Sequence, residues 1–448
     1  MSPSHTKQIV LSALFNPQGN AKSAWRHPDV AADAATDVKN YIAMAQLLER
    51  GMFDVFFIAD TPAARTDNLK IWSQSPLYMN ALEPLTVLTA VAMATTHIGL
   101  GGTVSSSFFE PFNIARQFAS LDHISRGRAA WNVVTSANDY AAKNFGLDRL
   151  PPHDKRYDMA RESLGLVFQY WDTYDDDAFI TDKVEGQWFE PSAFHRVTHE
   201  GEYFTVDGAL NIARPPQGHP VIIQAGASEA GREFAAETAE VVFGTGTSIP
   251  SAKAFYDDLK GRLAKFGRGP DDLKILSGFT AVIGDTLEDA QRKLAEREAL
   301  VPVEARILAL NTDLETDLLD LPLDEPVPFD RIPATSNHHQ VYFEQIVELI
   351  RSGITLREVA MRFNRSTASF VGTPSQVADF MQEWVEAGAS DGFMIPFGIT
   401  PVDVPDFVDK VIPLLQERGM VRTAWPTEPA TLRDTLGLAR PADAGSRG

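Results

Sequence analysis

Ala129-Ala130-Trp131-Asn132-Val133-Val134-Thr135-Ser136, continuing to Asn144-Phe145-Gly146, is the stretch on which the fold reading turns. Its first half is an apolar, partly β-branched run of the kind that forms a buried strand. Its second half breaks into small polar groups: Ser136, Asn138, Asp139 and Asn144 lead into a glycine. In a strand-helix-strand chain, such a change marks the place where a core strand delivers side chains into a site.

Comparable apolar runs recur on both sides of it. Residues 9–15, 53–59, 97–104, 129–134, 221–225, 241–244, 275–283 and 392–395 make eight strand candidates. Helical segments lie between them. Residues 38–50 put Tyr41, Met44, Ala45 and Leu48 on one helical face, and Gly51 suits the stop. Pro84 opens a helix at a position where its missing N–H costs nothing, and helical periodicity returns over 154–171. The alternation predicts an α/β chain, a (β/α)8 TIM barrel, although periodicity alone leaves a doubly wound sheet open.

Two stretches break the alternation. Residues 173–214 are rich in aromatics and turn formers and read as an insertion containing a hairpin. Residues 306–373 carry an acidic, proline-punctuated run over 313–333, then helices around 342–351 and 356–362. Insertions of this length between barrel elements act as lids or binding loops. The expected organisation is one barrel domain over 1–425 with insertions at about 173–214 and 306–373, then a tail over 426–448, rich in Ala, Gly and Arg, that frays.

Composition narrows the function classes. The chain has 448 residues, 44% hydrophobic and 22% charged, as in a soluble globular protein with ample core. A net charge of −20 argues against a nucleic-acid partner held by bulk electrostatics and reads as a solubility feature. With no cysteine there is no disulfide, thiolate metal site or thiol nucleophile, which fits a reducing cytoplasm. Residues 1–8 are polar, without the apolar centre of a signal peptide. No run approaches the roughly 18 to 20 apolar residues that span a bilayer, so a cytoplasmic chain with no membrane partner is expected.

Four places carry candidate chemistry. Gly226-Ala227-Ser228-Glu229-Ala230-Gly231-Arg232 follows an apolar strand and precedes a helix, where small residues let backbone N–H groups approach an anion. Ser228 is equally suited to cap that helix. Asp60 ends an apolar strand, so its carboxylate must be hydrogen-bonded or solvated in a cavity, unless it only caps the segment around Thr61 and Pro62. Thr103 ends the next strand with a hydroxyl that either meets a ligand edge or simply packs. His153 and Tyr157 stand four apart at a helix start, on one face, as suits a phosphate, with capping by Asp154 and a packed Tyr157 as the plain alternative. His195 and His199 lie in the aromatic insertion, and the pair His338-His339 precedes a helix without carboxylates at ligand spacing, so no metal is expected. Neither a Gly-x-Ser-x-Gly elbow nor a P-loop is present.

Taken in order, several segments resemble the bacterial-luciferase-like flavin monooxygenases, and more narrowly the nitrilotriacetate, EDTA, long-chain alkane and dibenzothiophene-sulfone monooxygenase group. They are Ala24-Trp25-Arg26-His27, Glu49-Arg50-Gly51-Met52-Phe53-Asp54, the stretch from Trp131 to Gly146, Gln224-Ala225-Gly226-Ala227-Ser228, Gly372-Thr373-Pro374, Ala389-Ser390-Asp391-Gly392-Phe393 and Leu432-Arg433-Asp434-Thr435-Leu436-Gly437-Leu438. The resemblance implies a TIM barrel, assembled as a homodimer or homotetramer, that uses reduced FMN from a separate NAD(P)H:flavin reductase. With O2 it would oxygenate a small organic substrate, the second oxygen atom leaving as water.

By matching motif, the resemblance puts Asp60 and Thr103 near the isoalloxazine ring, with Asn132 as a further ring neighbour. It assigns the phosphate end to His153, Tyr157 and Ser228, assisted by the backbone at Ala227. Phe15, Phe57, Phe243 and Phe397, near strand ends, are candidate pocket walls. No general acid or base is named by sequence. One departure bears on the substrate: relatives commonly carry histidine before the Ala-Trp-Arg-His match, whereas this chain has Asn16-Pro17-Gln18-Gly19-Asn20-Ala21-Lys22, which cannot cycle protons near neutral pH. The competing readings are a deazaflavin-dependent oxidoreductase on the same barrel and a non-catalytic flavin-binding protein.

Overall fold

A computed structural model describes residues 8–66, 69–74, 79–136, 138–335, 340–363 and 368–445; His338 and His339 lie outside them. Its strands are β1 (Val10–Leu14), β2 (Val55–Ile58), β3 (Gly99–Ser105), β4 (Ala129–Val134), β5 (Val197–Glu200), β6 (Thr205–Gly208), β7 (Val221–Gln224), β8 (Val241–Gly244), β9 (Lys274–Gly278), β10 (Ala281–Ile283), β11 (Phe370–Gly372) and β12 (Gly392–Pro396). Eight of them close into a barrel in the order β1-β12-β9-β8-β7-β4-β3-β2, every pairing parallel. Strands such as Val55-Phe56-Phe57-Ile58 and Val221-Ile222-Ile223-Gln224 are buried at every position. That is the pattern of a strand covered on one face by helices and on the other by the barrel interior. The helix expected over 38–50 forms as Val38–Arg50, capped by Asp37, with Tyr41, Ala45 and Leu48 buried.

The pleat sorts side chains between the two faces. Val55 and Phe57, Ala130, Val221 and Ile223, Val241 and Phe243, and Leu276 form one cluster inside the barrel. Phe57 and Phe243 meet edge to face there, with ring centroids 4.9 Å apart. Register pairs Gly101 with Ala130 and Thr103 with Asn132. One pleat period above this apolar plug, the same inward row therefore ends in a hydroxyl and an amide.

Two expectations change on contact with the structure. The strand read over 275–283 is two strands: β9 stays in the barrel, while β10 leaves it and pairs with β11. The tail does not fray over its described part. Helix Leu432–Leu436, with a Thr431 capping box, sends Leu432, Leu436 and Leu438 into the interior cluster from below. Arg433, 2% exposed, donates to Glu240 at 2.9 Å and to the His219 carbonyl at 2.9 Å. A short amphipathic segment with one buried arginine closes the barrel's N-terminal end, and composition alone hides this.

The excursions lie elsewhere. Residues 173–214 hold the antiparallel β5–β6 hairpin. Across 303–363, helices Val303–Leu314, Gln340–Arg351 and Leu356–Arg362 bury Leu310, Leu314, Ile346, Ile350 and Val359 against one another as a separate core. Among the described residues no helix is long and apolar enough to cross a membrane.

Arg433→Ala would leave Glu240 without its buried partner beneath the barrel. We expect a loss of about 3 kcal/mol, read from urea unfolding; unchanged stability would reduce the tail to a passive cover.

Candidate active site

The C-terminal ends of β2, β3, β4 and β7 open on two adjoining cavities. One, of about 270 Å³, is lined by Asp60, Thr61, residues 133–136, Asn138, Ala141, Tyr157, residues 224–226 and Phe234. The other, of about 620 Å³, runs from Asp60 and Thr61 past Thr103 and Ser105 to Glu83 and Gln117. Asp60, Thr61 and Val134 are common to both walls.

Beneath the mouth, the Thr103 hydroxyl donates to the Ile58 carbonyl at 3.0 Å and accepts from Asn132 Nδ2 at 2.9 Å. This commits the Asn132 Nδ2 group, while Oδ1 is buried and has no partner among the described residues. A buried acceptor left open in a protein interior calls for a donor from a bound molecule or water. Above it, the chain leaving β4 reaches Ser136, whose φ of +56° lies in the left-handed region, a conformation uncommon for a residue with a Cβ. The turn is held by a hydrogen bond between Ser136 and Ser105 hydroxyls, 2.8 Å, and by Arg156 donating to the Ser136 carbonyl.

On the far side, β7 passes through Gly226 into helix Glu229–Thr238. Ser228 caps this helix, accepting from the Gly231 N–H at 3.1 Å. Its hydroxyl proton is still available to donate, so capping and ligand binding do not compete. Gly226 and Gly231 let the backbones cross closely: a Cβ on Gly231 would stand 2.8 Å from the Tyr157 hydroxyl and 3.0 Å from Gly226 Cα. Tyr157 thus lays its hydroxyl on a backbone crossing at a helix N-terminus, where N–H groups lack intrahelical partners. Glu229, at the start of that helix, is matched by Arg262 and Arg232, which hold its carboxyl down to about 2.

Asp60 is half-buried where the cavities meet. Burial, and then the nearby Glu83 carboxylate, push its carboxyl up from the ordinary 3.8 to about 6, against one hydrogen bond from the Thr61 N–H.

The structure brings Asp60, Thr103, Asn132 and Tyr157 to one mouth. Ala227 and Ser228 stand exposed at its edge. His153 does not line either cavity: its half-exposed ring contacts Tyr157, centroids 5.0 Å apart, and Asp154 at 3.3 Å. Sequence reasoning missed Ser105, Gln224 and Arg156 as site residues; the polar break after Val134 was the available signal for the first of these. The four phenylalanines are not walls of the mouth cavities. Phe15 packs on Tyr41 and Phe56, Phe397 on Phe53 and Phe407, and Phe57 with Phe243 fills the barrel. The Asn16–Lys22 loop is pinned by Asn20, whose Nδ2 donates to the Leu14 and Phe397 carbonyls at 3.1 Å.

Comparison with known proteins agrees with this geometry. The sequence profile of the luciferase-like monooxygenases matches residues 20–391. The chain is 42% identical over 445 residues to nitrilotriacetate monooxygenase component A of Aminobacter aminovorans, covering 97% of each. The crystal structure of long-chain alkane monooxygenase shares the fold with a TM-score of 0.83 and 33% identity, covering 96% of each chain. A riboflavin lyase solved with modified FMN and riboflavin follows at TM-score 0.80 and 30% identity, covering 98% of this chain and 99% of its own. The chain belongs to the luciferase-like monooxygenase family and is a flavin-dependent monooxygenase. Within that family it falls in the two-component, reduced-flavin group, and the deazaflavin and storage readings give way.

An acid raised to about 6 by burial destabilises the fold where it is ionised. Folded Asp60 binds its proton more tightly than unfolded Asp60, so the native state loses ground as pH rises from about 4 through 6. Asp60→Asn should therefore raise stability at pH 8 by about 2 kcal/mol and leave it nearly unchanged at pH 4. A gain equal at both pH values would show that burial of this charge is not its source.

Proposed function

We propose that this protein binds reduced FMN across the barrel mouth and, with O2, oxygenates a small organic compound. A separate NAD(P)H:flavin reductase supplies the flavin in the cytoplasm. The single observation that carries the FMN assignment is the polarity of the mouth from end to end. Its floor is apolar with one open acceptor, Asn132 Oδ1, and its rim is a helix N-terminus under a glycine crossing. That sequence of surfaces fits a flat ring with N–H edges at one end and an anion at the other.

Each residue has a definite task in this reading. Asn132 Oδ1 accepts from a ring N–H, with Thr103 holding the amide in place. Tyr157 and Ser228 donate to phosphate oxygens, the backbone from Ala227 onward adds N–H groups, and His153 guards the outer side. Because Arg232 is bound to Glu229 and Asp258, the anion is met by dipoles rather than by that guanidinium. When bound, the reduced flavin supplies the electrons that activate O2, one oxygen atom going to the substrate and the other to water. The protein positions the ring on a dry floor and keeps bulk water out. A homodimer or homotetramer is the expected assembly.

Ser228→Asp keeps a good helix cap but sets a negative charge against the phosphate. FMN affinity should fall at least about tenfold while riboflavin affinity, measured by flavin fluorescence, holds. Equal losses for both ligands would remove Ser228 from the phosphate site. The reaction itself is tested by mixing protein and reduced FMN anaerobically and adding oxygen in a stopped-flow instrument. A protein-dependent delay in flavin oxidation is expected; oxidation at the rate of free flavin, with and without candidate substrates, would overturn the oxygenase assignment.

A further inference from the structure

Buried aspartates in this chain are generally compensated. Asp54 meets Arg422 at 2.6 Å, Asp122 accepts from Gln217 Nε2 at 2.6 Å, and Asp172 holds both Arg214 and His219 at 2.9 Å. Asp391 meets Lys260 at 2.9 Å, and Asp403 takes Arg297 at 3.0 Å. Asp60 stands apart from them. It lies in the shared wall of the two mouth cavities, supported by one N–H, and the charge that acts on it is of its own sign.

Among the described residues the groups around it are few. Glu83 faces it from the turn before helix Pro84–Ala94, with both carboxylate oxygens already accepting, from the Leu85 and Thr86 N–H groups at 3.0 and 2.7 Å. From helix His153–Trp171, Tyr157 lines the same cavity, while Arg156 is turned to the Thr135 and Ser136 carbonyls. On Asp60's own loop, Arg65 lies between the rings of Trp72 and Tyr140, at 4.2 and 4.8 Å. Water in the cavities is therefore what keeps an ionised Asp60 solvated. A ligand that fills the mouth removes that water and brings no counter-charge to this wall.

We propose that Asp60 is the proton-holding group of this site: occupation of the mouth by flavin draws one proton from solvent onto its carboxylate, so the complex carries a neutral carboxylic acid between the two cavities. The inference rests on the flavin reading of the mouth. The step is simple to balance, a carboxylate plus a solvent proton giving a carboxylic acid, reversed when the ligand leaves. The neutral acid can donate a hydrogen bond that the carboxylate cannot. Reduction of the second oxygen atom to water consumes protons, and this acid stores one beside the reacting volume. Glu83 assists as a positioning charge, since its repulsion favours the protonated form.

Proton uptake on binding of oxidised FMN, measured by titration calorimetry in buffers of different ionisation enthalpy at pH 7, tests the proposal. The phosphate's own titration is common to all variants, so differences report the carboxyl. Wild type should take up roughly one proton more per flavin than Asp60→Asn, and Glu83→Gln should lie between them. Flavin bound by both proteins with equal proton uptake would overturn the assignment of the proton to Asp60. Failure of wild type to bind flavin at all would overturn the flavin reading and this inference together. Binding by wild type but not by Asp60→Asn is decided by wild type with riboflavin, which carries no phosphate: its uptake must rise from pH 5 to pH 7, as the free carboxylate becomes available, and a flat profile would sink the idea.

Discussion

The interior of a closed parallel barrel is the constraint on which the rest depends. Eight strands without an edge enclose one row of inward positions per strand, and the pleat allows only every second residue to occupy it. In this chain those rows are apolar at the centre, through Val55, Phe57, Ile223, Val241, Phe243 and Leu276, and turn polar at Thr103 and Asn132. A one-residue slip in β3 or β4 would face Val104 or Val133 into the barrel and bury the hydroxyl and the amide against helices. The packing that makes the barrel stable thus also places the site chemistry.

The mouth is electrostatically sparse for the anion site we propose there. On a chain of net charge −20, the basic residues next to the Ser228 helix are committed to carboxylates, Arg232 and Arg262 to Glu229. What remains for an anion is directional: N–H groups at a helix start, and hydroxyls of Ser228 and Tyr157 held by capping and by a glycine crossing. Such dipoles are preorganised and cost little rearrangement on binding. Against this background the Asp60 carboxyl stands out, because no opposite charge faces it among the described residues, whereas Asp54, Asp172, Asp391 and Asp403 each hold a cation.

The excursions show how a barrel is extended without disturbing its interior. The helices across 303–363 bury apolar faces mainly on one another, so this excursion leaves the interior cluster unchanged. The β10–β11 pair ties it down where the chain leaves and rejoins the barrel. At the opposite end, the segment around Leu432–Leu436 fills the base with leucines and locks there through Arg433.

The strands were legible in the sequence because a strand buried on both faces must be a short, nearly continuous apolar run, and eight such runs alternate with helices. Asp60 and Thr103 were legible for a related reason: a polar group ending such a run needs solvent or a partner, and the C-terminal end of a barrel strand offers both. The glycine crossing at 226 and 231 was readable as small residues before a helix. Sequence could not tell a fraying tail from a plug, since Leu432, Leu436 and Leu438 acquire meaning only when Gly99 and the barrel base stand opposite them. Nor could it separate β10 from β9, because both are apolar and only pairing distinguishes them. Local side-chain character determined which elements form and which residues are candidates to carry chemistry. The tertiary structure alone decided which of them face one another, because those contacts join residues far apart in the chain, and with them what surrounds Asp60.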